Sequence, residues 1–291
     1  MYLLQYYILK ILFFFFSHLS FSFVEKLANV VAFFLRTVFK YRVKVVMSNL
    51  KLVYGENFPK ESAYMLKQIY CNFTYLWFEV LQVGKLFNEN KEQFFSVYNR
   101  ELIEQALKDG NGVILLSGHL GNFEWLAALF GFYGWPFAAI AKKQKNPYVD
   151  KFIRERRESN GARVIYVKSA MKDGLRLLKN KGILGIVGDQ DARRKGIFIN
   201  FLGQPSSTAI GPAIFHLRSK APMFWVSAIR TKYAQFEIHF EKIETEVPFE
   251  INDENIKNVT QKHSDVLEKW VRKYPEQWFW MHRRWKTKLK K

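Results

Sequence analysis

Cysteine is nearly absent from this chain. Cys71 stands alone among 291 residues. An intrachain disulfide is therefore excluded, and a reducing compartment fits. Cys71 lies in an apolar helical pattern and is read as a packed thiol, not a nucleophile. Acidic residues are scarce, with 26 Asp and Glu against 45 Lys and Arg, which leaves a net charge of +19. Metal-ligand spacing is missing too. No His-Glu-x-x-His occurs and the six histidines are scattered, so neither a metal nor another cofactor is expected. Zinc-finger, RRM and KH patterns are absent, which turns the positive charge away from nucleic acid. No internal repeat and no Ser/Gly/Pro-rich linker divides the chain, so one core of α/β size is expected. What is abundant is phenylalanine, 28 residues, many of them near the N-terminus. Cations together with aromatics point to an anionic membrane surface, with an acidic carrier protein as a compatible second partner.

Residues 1–24 carry a single charge, Lys10, and reach the ~20 residues that span a bilayer. A signal peptide would instead need a basic start and a small-residue cleavage site, and large aromatics fill the end of the run. From Glu25 to Lys40, the polar residues Glu25, Lys26, Asn29, Arg36, Thr37 and Lys40 gather on one side of a helix. Leu27, Val30, Val31, Phe34, Leu35 and Val38 take much of the other. Such a helix lies in a membrane interface or docks on the protein's own core. Arg36, Lys40, Arg42 and Lys44 place the body in the cytoplasm. Residues 1–44 are thus expected as an N-terminal anchor with an amphipathic helix, and 45–291 as a single domain that carries whatever chemistry the chain has.

Within that domain, 59–83 has helical spacing and contains Glu79, either a supporting group for a site or an exposed carboxylate. Strands are expected at 113–116, 137–141, 164–167, 183–187, 223–229 and 236–243, the last pairing antiparallel. Helices are expected at 120–131, 147–159, 170–180, 209–219 and 253–273. This alternation predicts an α/β fold, a mostly parallel central sheet flanked by helices. Chemistry then belongs beyond the carboxyl ends of strands.

Two strand ends carry polar groups. The first strand runs into Ser117-Gly-His119-Leu-Gly-Asn122-Phe-Glu124. A carboxylate here can orient the imidazole and stabilise its protonated form, so that His119 takes a proton from an alcohol. The alternative is a buried histidine beside a glutamate favoured by the helix dipole. Asn122 either positions a substrate or caps the helix. Another strand ends in Gly188-Asp189-Gln190-Asp191-Ala-Arg193-Arg194-Lys195.

His-x4-Glu after a strand resembles the His-x4-Asp/Glu motif of the glycerolipid acyltransferase superfamily. Three further segments narrow the likeness. Gly188 to Gly196, continued to Thr208, is similar to the central block of the lipid A late acyltransferases. Tyr274-Pro-Glu-Gln-Trp-Phe-Trp-Met-His282-Arg-Arg-Trp-Lys286 resembles their C-terminal signature, and Arg42-Val-Lys-Val-Val-Met-Ser-Asn49-Leu their N-terminal block. The four stand in family order over nearly the whole chain.

The resemblance implies a glycerolipid acyltransferase-like fold with an N-terminal membrane-associated segment at the bacterial inner membrane, facing the cytoplasm. It implies acyl transfer from an acyl carrier protein or acyl-CoA thioester to a hydroxyl of a lipid A precursor or related glycolipid. Acceptors among lysophospholipids or amino-acid lipids are alternatives. So is a non-catalytic basic membrane-binding protein, against which His119 and Glu124 both stand. His119 becomes the general base and Glu124 its orienting partner. By the family's Arg-x3-Gly spacing before Gly161, Arg157 is the oxyanion cation, with Arg156 as fallback and Arg154 on the outer part of the same helix. Asp189, then Asp191, is the acidic substrate-site residue. Arg193 and Arg194 meet lipid phosphates or an acidic carrier, or form a solvated turn; Lys142, Lys143 and Lys145 are phosphate- or carrier-facing. Gly196 and Gly203 are backbone devices around an apolar loop, and Thr208 caps the next helix. Trp278, Phe279, Trp280, Trp285 and the basic run from Arg283 suit a membrane interface.

Overall fold

The computed structural model describes residues 1–55, 62–87, 93–110, 112–159 and 161–289. The chain opens with four helices, α1 (Tyr2–His18), α2 (Phe21–Thr37), α3 (Val43–Tyr54) and α4 (Ser62–Gln82). Then come β1 (Phe95–Tyr98), α5 (Glu101–Lys108), β2 (Val113–Ser117), α6 (Phe123–Phe132), β3 (Phe137–Ala141), α7 (Pro147–Ser159), β4 (Arg163–Tyr166), α8 (Ala170–Lys179) and β5 (Ile183–Val187). The last part holds β6 (Ile197–Phe201), β7 (Gln204–Thr208), α9 (Gly211–Ser219), β8 (Met223–Lys232), β9 (Gln235–Ile243) and α10 (Asp253–Lys273). Residues 59–61 of the expected 59–83 helix, Asn160 and the two terminal lysines lie outside the described residues.

The apolar N-terminal run is not one rod. It breaks at Leu19 and Ser20, where Ser20 is extended and its hydroxyl caps α2 by accepting from Phe23 N. Gln82 Nε2 donates to the Phe16 and Leu19 carbonyls that the break leaves open. Among the described residues no helix is long and apolar enough to cross a membrane. α1 docks on α7, with Tyr6 and Phe13 edge-on to Phe152. α2 buries only the small seam Val24, Ala28 and Ala32, while Phe23, Val30, Phe33, Phe34 and Val38 stay exposed. Half of the expected apolar face thus remains open.

The main sheet has the order β1-β9-β8-β2-β5-β3-β4, and only β8 and β9 pair antiparallel, as their lack of an intervening helix predicts. Val113 and Leu115 of β2 enter the apolar core on one face of the sheet; Ile114 and Leu116 enter the core on the other. A sheet covered on both sides reads as continuous apolar runs, which is why β2 and β5 were visible in sequence. The chain leaves β2 toward β3 on one side and leaves β5 toward β8 on the other. β2 and β5 are neighbours in register, Ser117 opposite Val187. The crevice beyond their carboxyl ends is a topological switch point, the usual place for a ligand in such sheets.

The expected apolar loop after Gly196 is instead the hairpin β6–β7, turned through Leu202 and Gly203, both at positive φ (53° and 77°). Glycine is a backbone device at both ends. A Cβ on Gly196 would stand 2.5 Å from Ser207 Oγ. Thr208 does not cap α9. It ends β7 and accepts a hydrogen bond from Arg284.

Candidate active site

The switch point delivers His119 and Asp189, each two residues past its strand. Because Ser117 faces Val187 across the β2–β5 ladder, equal steps bring the two side chains together. His119 Nδ1 lies 2.5 Å from Asp189 Oδ1, and His119 N donates to Asp189 Oδ2 at 2.9 Å. Trp278 Nε1 donates to the same Oδ2 at 2.9 Å. Asp189 is buried at 5% exposure, while a quarter of the His119 side chain remains open. Burial raises the Asp189 pKa, but the His119 charge and the hydrogen bonds from His119 and Trp278 outweigh it, and the carboxyl is held far below its usual range. Burial likewise lowers the His119 pKa. The Asp189 charge and hydrogen bond, with a smaller contribution from Glu124, carry it above the ordinary histidine value. The other ring nitrogen, Nε2, meets Gln190 Nε2 at 3.2 Å and accepts from it in the tautomer that gives its Nδ1 proton to Asp189.

Glu124 is therefore not the carboxylate on the imidazole, contrary to the spacing argument. Both its oxygens are taken by Arg157, Nη2 to Oε1 at 2.6 Å and Nε to Oε2 at 3.2 Å. The reason is geometric: His119 precedes α6 in an irregular Gly-flanked loop, so helical spacing does not relate it to Glu124. Gly121 in that loop has φ +61°, and a Cβ there would sit 1.7 Å from Ala228 O, so only glycine fits. Asn122 is the cap of α6. Its Oδ1 accepts from Trp125 N at 3.2 Å, and its Nδ2 donates to Glu79 Oε2 at 2.7 Å. It is fully buried and meets no solvent.

Glu79 is not exposed. At 0% exposure it pairs with Arg230 through two hydrogen bonds of 2.6 and 2.7 Å and accepts from Ala234 N. This buried pair fixes the start of α6 and thereby the loop that carries His119.

The other predicted residues disperse. Arg156 lies over the rings of Phe13 and Phe152, between α7 and α1. Arg154 stands 3.9 Å from Glu158 on the same helix. Neither lines the cavity that Arg157 lines. Asp191 turns to the C-terminal segment: Oδ2 accepts from Thr287 at 2.9 Å, and its backbone N donates to His282 Nε2. Arg193 and Arg194 occupy an exposed 3₁₀ turn, the solvated alternative.

The C-terminal signature is a roof rather than a membrane-facing tail. Trp278, Trp280, Trp285 and Arg284 are buried at 5% exposure or less. Phe279 N donates to His119 O at 2.9 Å, and Asn49 of the N-terminal block donates to the Trp280 and His282 carbonyls. Of the two readings of Glu79, the exposed carboxylate is thus overturned. Trp278 as a support of Asp189 is not legible in sequence, because an indole in an apolar stretch carries no local signal of a distant partner.

His119, Glu124, Arg157 and Gln190 stand at one cavity of about 580 Å³, a size suited to a small ligand. Lys142 and Gln144 join them, so the polar groups come mainly from the loop ends. The rest is mainly apolar, from Phe73 and Trp77 of α4 to Phe130 of α6 and Leu115, Phe137 and Gly185 of the sheet. No cluster of His, Cys, Asp and Glu among the described residues could hold a metal. The arrangement can accept a proton at His119 Nε2 and present a guanidinium beside it, above an apolar chamber.

A model of the family described as bacterial lipid A biosynthesis acyltransferase matches residues 1–287. The chain is 22% identical over 259 residues to the lipid A biosynthesis palmitoleoyltransferase of Escherichia coli, covering 87% of this chain and 81% of that protein. It is 21% identical over 230 residues to the phosphatidylinositol mannoside acyltransferase of Mycolicibacterium smegmatis, covering 76% and 72%.

Proposed function

The chain belongs to the bacterial lipid A biosynthesis acyltransferase family, and from that premise we propose a membrane-bound O-acyltransferase with His119 as general base and Asp189 as its orienting acid. The observation that carries this reading is the His119 imidazole held on a buried carboxylate at the mouth of an apolar cavity. The enzyme acts in acyl transfer to a lipid. The donor is a thioester of an acyl carrier protein or CoA. The acceptor is a hydroxyl of a lipid A precursor or a related glycolipid; relatives named for lipid A and for phosphatidylinositol mannoside support this breadth.

His119 Nε2 removes the acceptor proton as the oxygen attacks the thioester carbonyl. Gln190 now stands where that hydroxyl would bond and moves aside. The tetrahedral oxyanion is met by Arg157, which keeps N–H donors beyond the two bonded to Glu124. Collapse breaks the C–S bond, and His119 returns its proton to the departing thiolate. No acyl-enzyme is required, since Cys71 is buried, its thiol pKa is raised by burial, and it lies outside the cavity lining. The apolar chamber takes the acyl chain, each buried methylene contributing about 0.8 kcal/mol.

The body sits on the cytoplasmic face of the inner membrane. α1 and α2 lie in the interface through exposed Leu4, Ile11, Phe14, Phe33 and Phe34, assisted by the positive charge. Lipid mass spectrometry of a deletion strain, complemented with wild type or His119→Ala, tests the reading. One lipid should lose an acyl chain and regain it only with wild type. Full complementation by His119→Ala would sink the general-base mechanism.

A further inference from the structure

Beside Asp189, the interior holds a further small cavity of about 10 Å³, which His119 does not line. That is room for one water and nothing larger. Asp189, Trp225, His263, Ser264 and Arg284 line it. Three of these residues bury a nitrogen that has no hydrogen-bond partner: Trp225 Nε1, His263 Nε2 and Arg284 Nε. Three such groups around one void are rare in a native core, where buried polar atoms are nearly all paired.

Arg284 is unusual in its own right. It is 1% exposed, and it is not in any of the ion pairs among the described residues. Its Nη1 and Nη2 donate to Ser207 O and Thr208 Oγ1, and the guanidinium lies over the Phe201 ring. A buried cation left this way is costly unless a nearby anion offsets it. The Asp189 and Asp191 charges act on it, although burial pushes its pKa down to about 10.

We propose that the cavity beside Asp189 binds a single ordered water, bridging the Arg284, Trp225 and His263 nitrogens to the Asp189 carboxylate, and that Arg284 is thereby a positioning residue for His119. The water accepts from the Arg284 and Trp225 N–H groups and donates to Asp189 and to His263. His263 is neutral, its pKa held at about 4 by burial and by Arg284, so one ring nitrogen accepts. Asp189 is then bonded by His119, by Trp278 and by the water. The Arg284 charge opposes the carboxylate field at His119 and restrains the rise in its pKa, so the imidazole is not fixed in the protonated form. The charged and titratable groups around the His119–Asp189 pair are the Glu124–Arg157 pair, His282, Asp191 and Arg284.

The proposal rests on the general-base reading for its consequence, but its test does not need turnover. Crystals of the full chain should show one water peak in the cavity, within hydrogen-bond distance of Asp189 and Arg284. Crystals of Ser264→Val, which adds a methyl group at the cavity lining, should lack it. NMR titration should place the His119 pKa about one unit higher in Arg284→Gln, because a nearby positive charge is lost. The shift in Ser264→Val should have the same sign and be smaller. An empty cavity in the wild type overturns the water. An unchanged His119 titration in folded Arg284→Gln, or in Ser264→Val should Arg284→Gln not fold, overturns the positioning role. Failure of the general-base reading would show separately, as turnover in His119→Ala with the water and titration shifts intact.

Discussion

Two acid–base pairs stand at the mouth of the apolar cavity, and they are built differently. His119–Asp189 is carried by the ends of two adjacent parallel strands, and its carboxylate is buried. Glu124–Arg157 bridges two helices, with each side chain about a quarter exposed. Strand ends locked by a hydrogen-bonded ladder hold the imidazole and carboxylate at a set spacing. Helix faces hold the second pair at the cavity lining. The first pair is fixed by the sheet, whereas the second depends on how two helices dock.

The largest expected effect comes from the strand-end pair. His119→Ala should lower kcat about 10²–10⁴-fold, the usual range for loss of a general base. Asp189→Asn should lower it nearly as far, because the amide cannot hold the same tautomer. Kinetics on purified variants decides, and a near-normal Asp189→Asn would detach the carboxylate from the mechanism.

pH sharpens the same comparison. His119 has a raised pKa, so the active neutral imidazole appears only above the ordinary value of ~6.5. The acid limb of kcat/KM should therefore lie above that pH, with rate rising as pH rises through it. Residual activity of Asp189→Asn should have its acid limb displaced to lower pH. Glu124→Gln should displace it in the same direction but less, since its contribution to His119 is the smaller.

The helix-borne pair should behave as one unit. Arg157→Lys and Glu124→Gln should each lower kcat by roughly tenfold, about 1.4 kcal/mol, with little change in KM for the donor. A double-mutant cycle should find the two losses strongly non-additive. Additive losses would mean that Glu124 does not act through Arg157, and a pure KM effect would move Arg157 to donor binding.

The smallest effect belongs to the chamber floor. A Cβ on Gly185 would stand 2.6 Å from the Phe137 ring, so Gly185→Ala must push that ring into the cavity. Long acyl donors should lose turnover while shorter ones keep it. Equal loss across a chain-length series would separate the chamber from the acyl chain.

Much of the scaffold was legible because its strands are buried on both faces and its helices amphipathic. The bounds expected for β3, α7, β5 and α10 coincide with those observed. The hairpin β6–β7 reads as a loop in sequence because Gly203 and Pro205 break the apolar pattern, and both sit where a tight turn and its flank tolerate them. The N-terminal run looked continuous because Ser20 and its neighbours are too few to interrupt its mean hydropathy, yet one capping hydroxyl breaks it. His119 and Asp189 were each placed after a strand, but their partnership depends on β5 lying beside β2 rather than beside β4. Strand order is written in the sheet, not in any local spacing. The helical offset from His119 to Glu124 was the more visible cue and pointed to the wrong carboxylate.

The roof over the His119 loop has a consequence for the making of this protein. Trp278 and Phe279 bond Asp189 and the His119 carbonyl, and they follow every described strand of the sheet in sequence. A ribosome therefore releases them after β9. A nascent chain can bury the core of its sheet before anything holds its imidazole in place. A product terminated between β9 and Trp278 would keep those strands and lack both bonds that fix the His119–Asp189 pair.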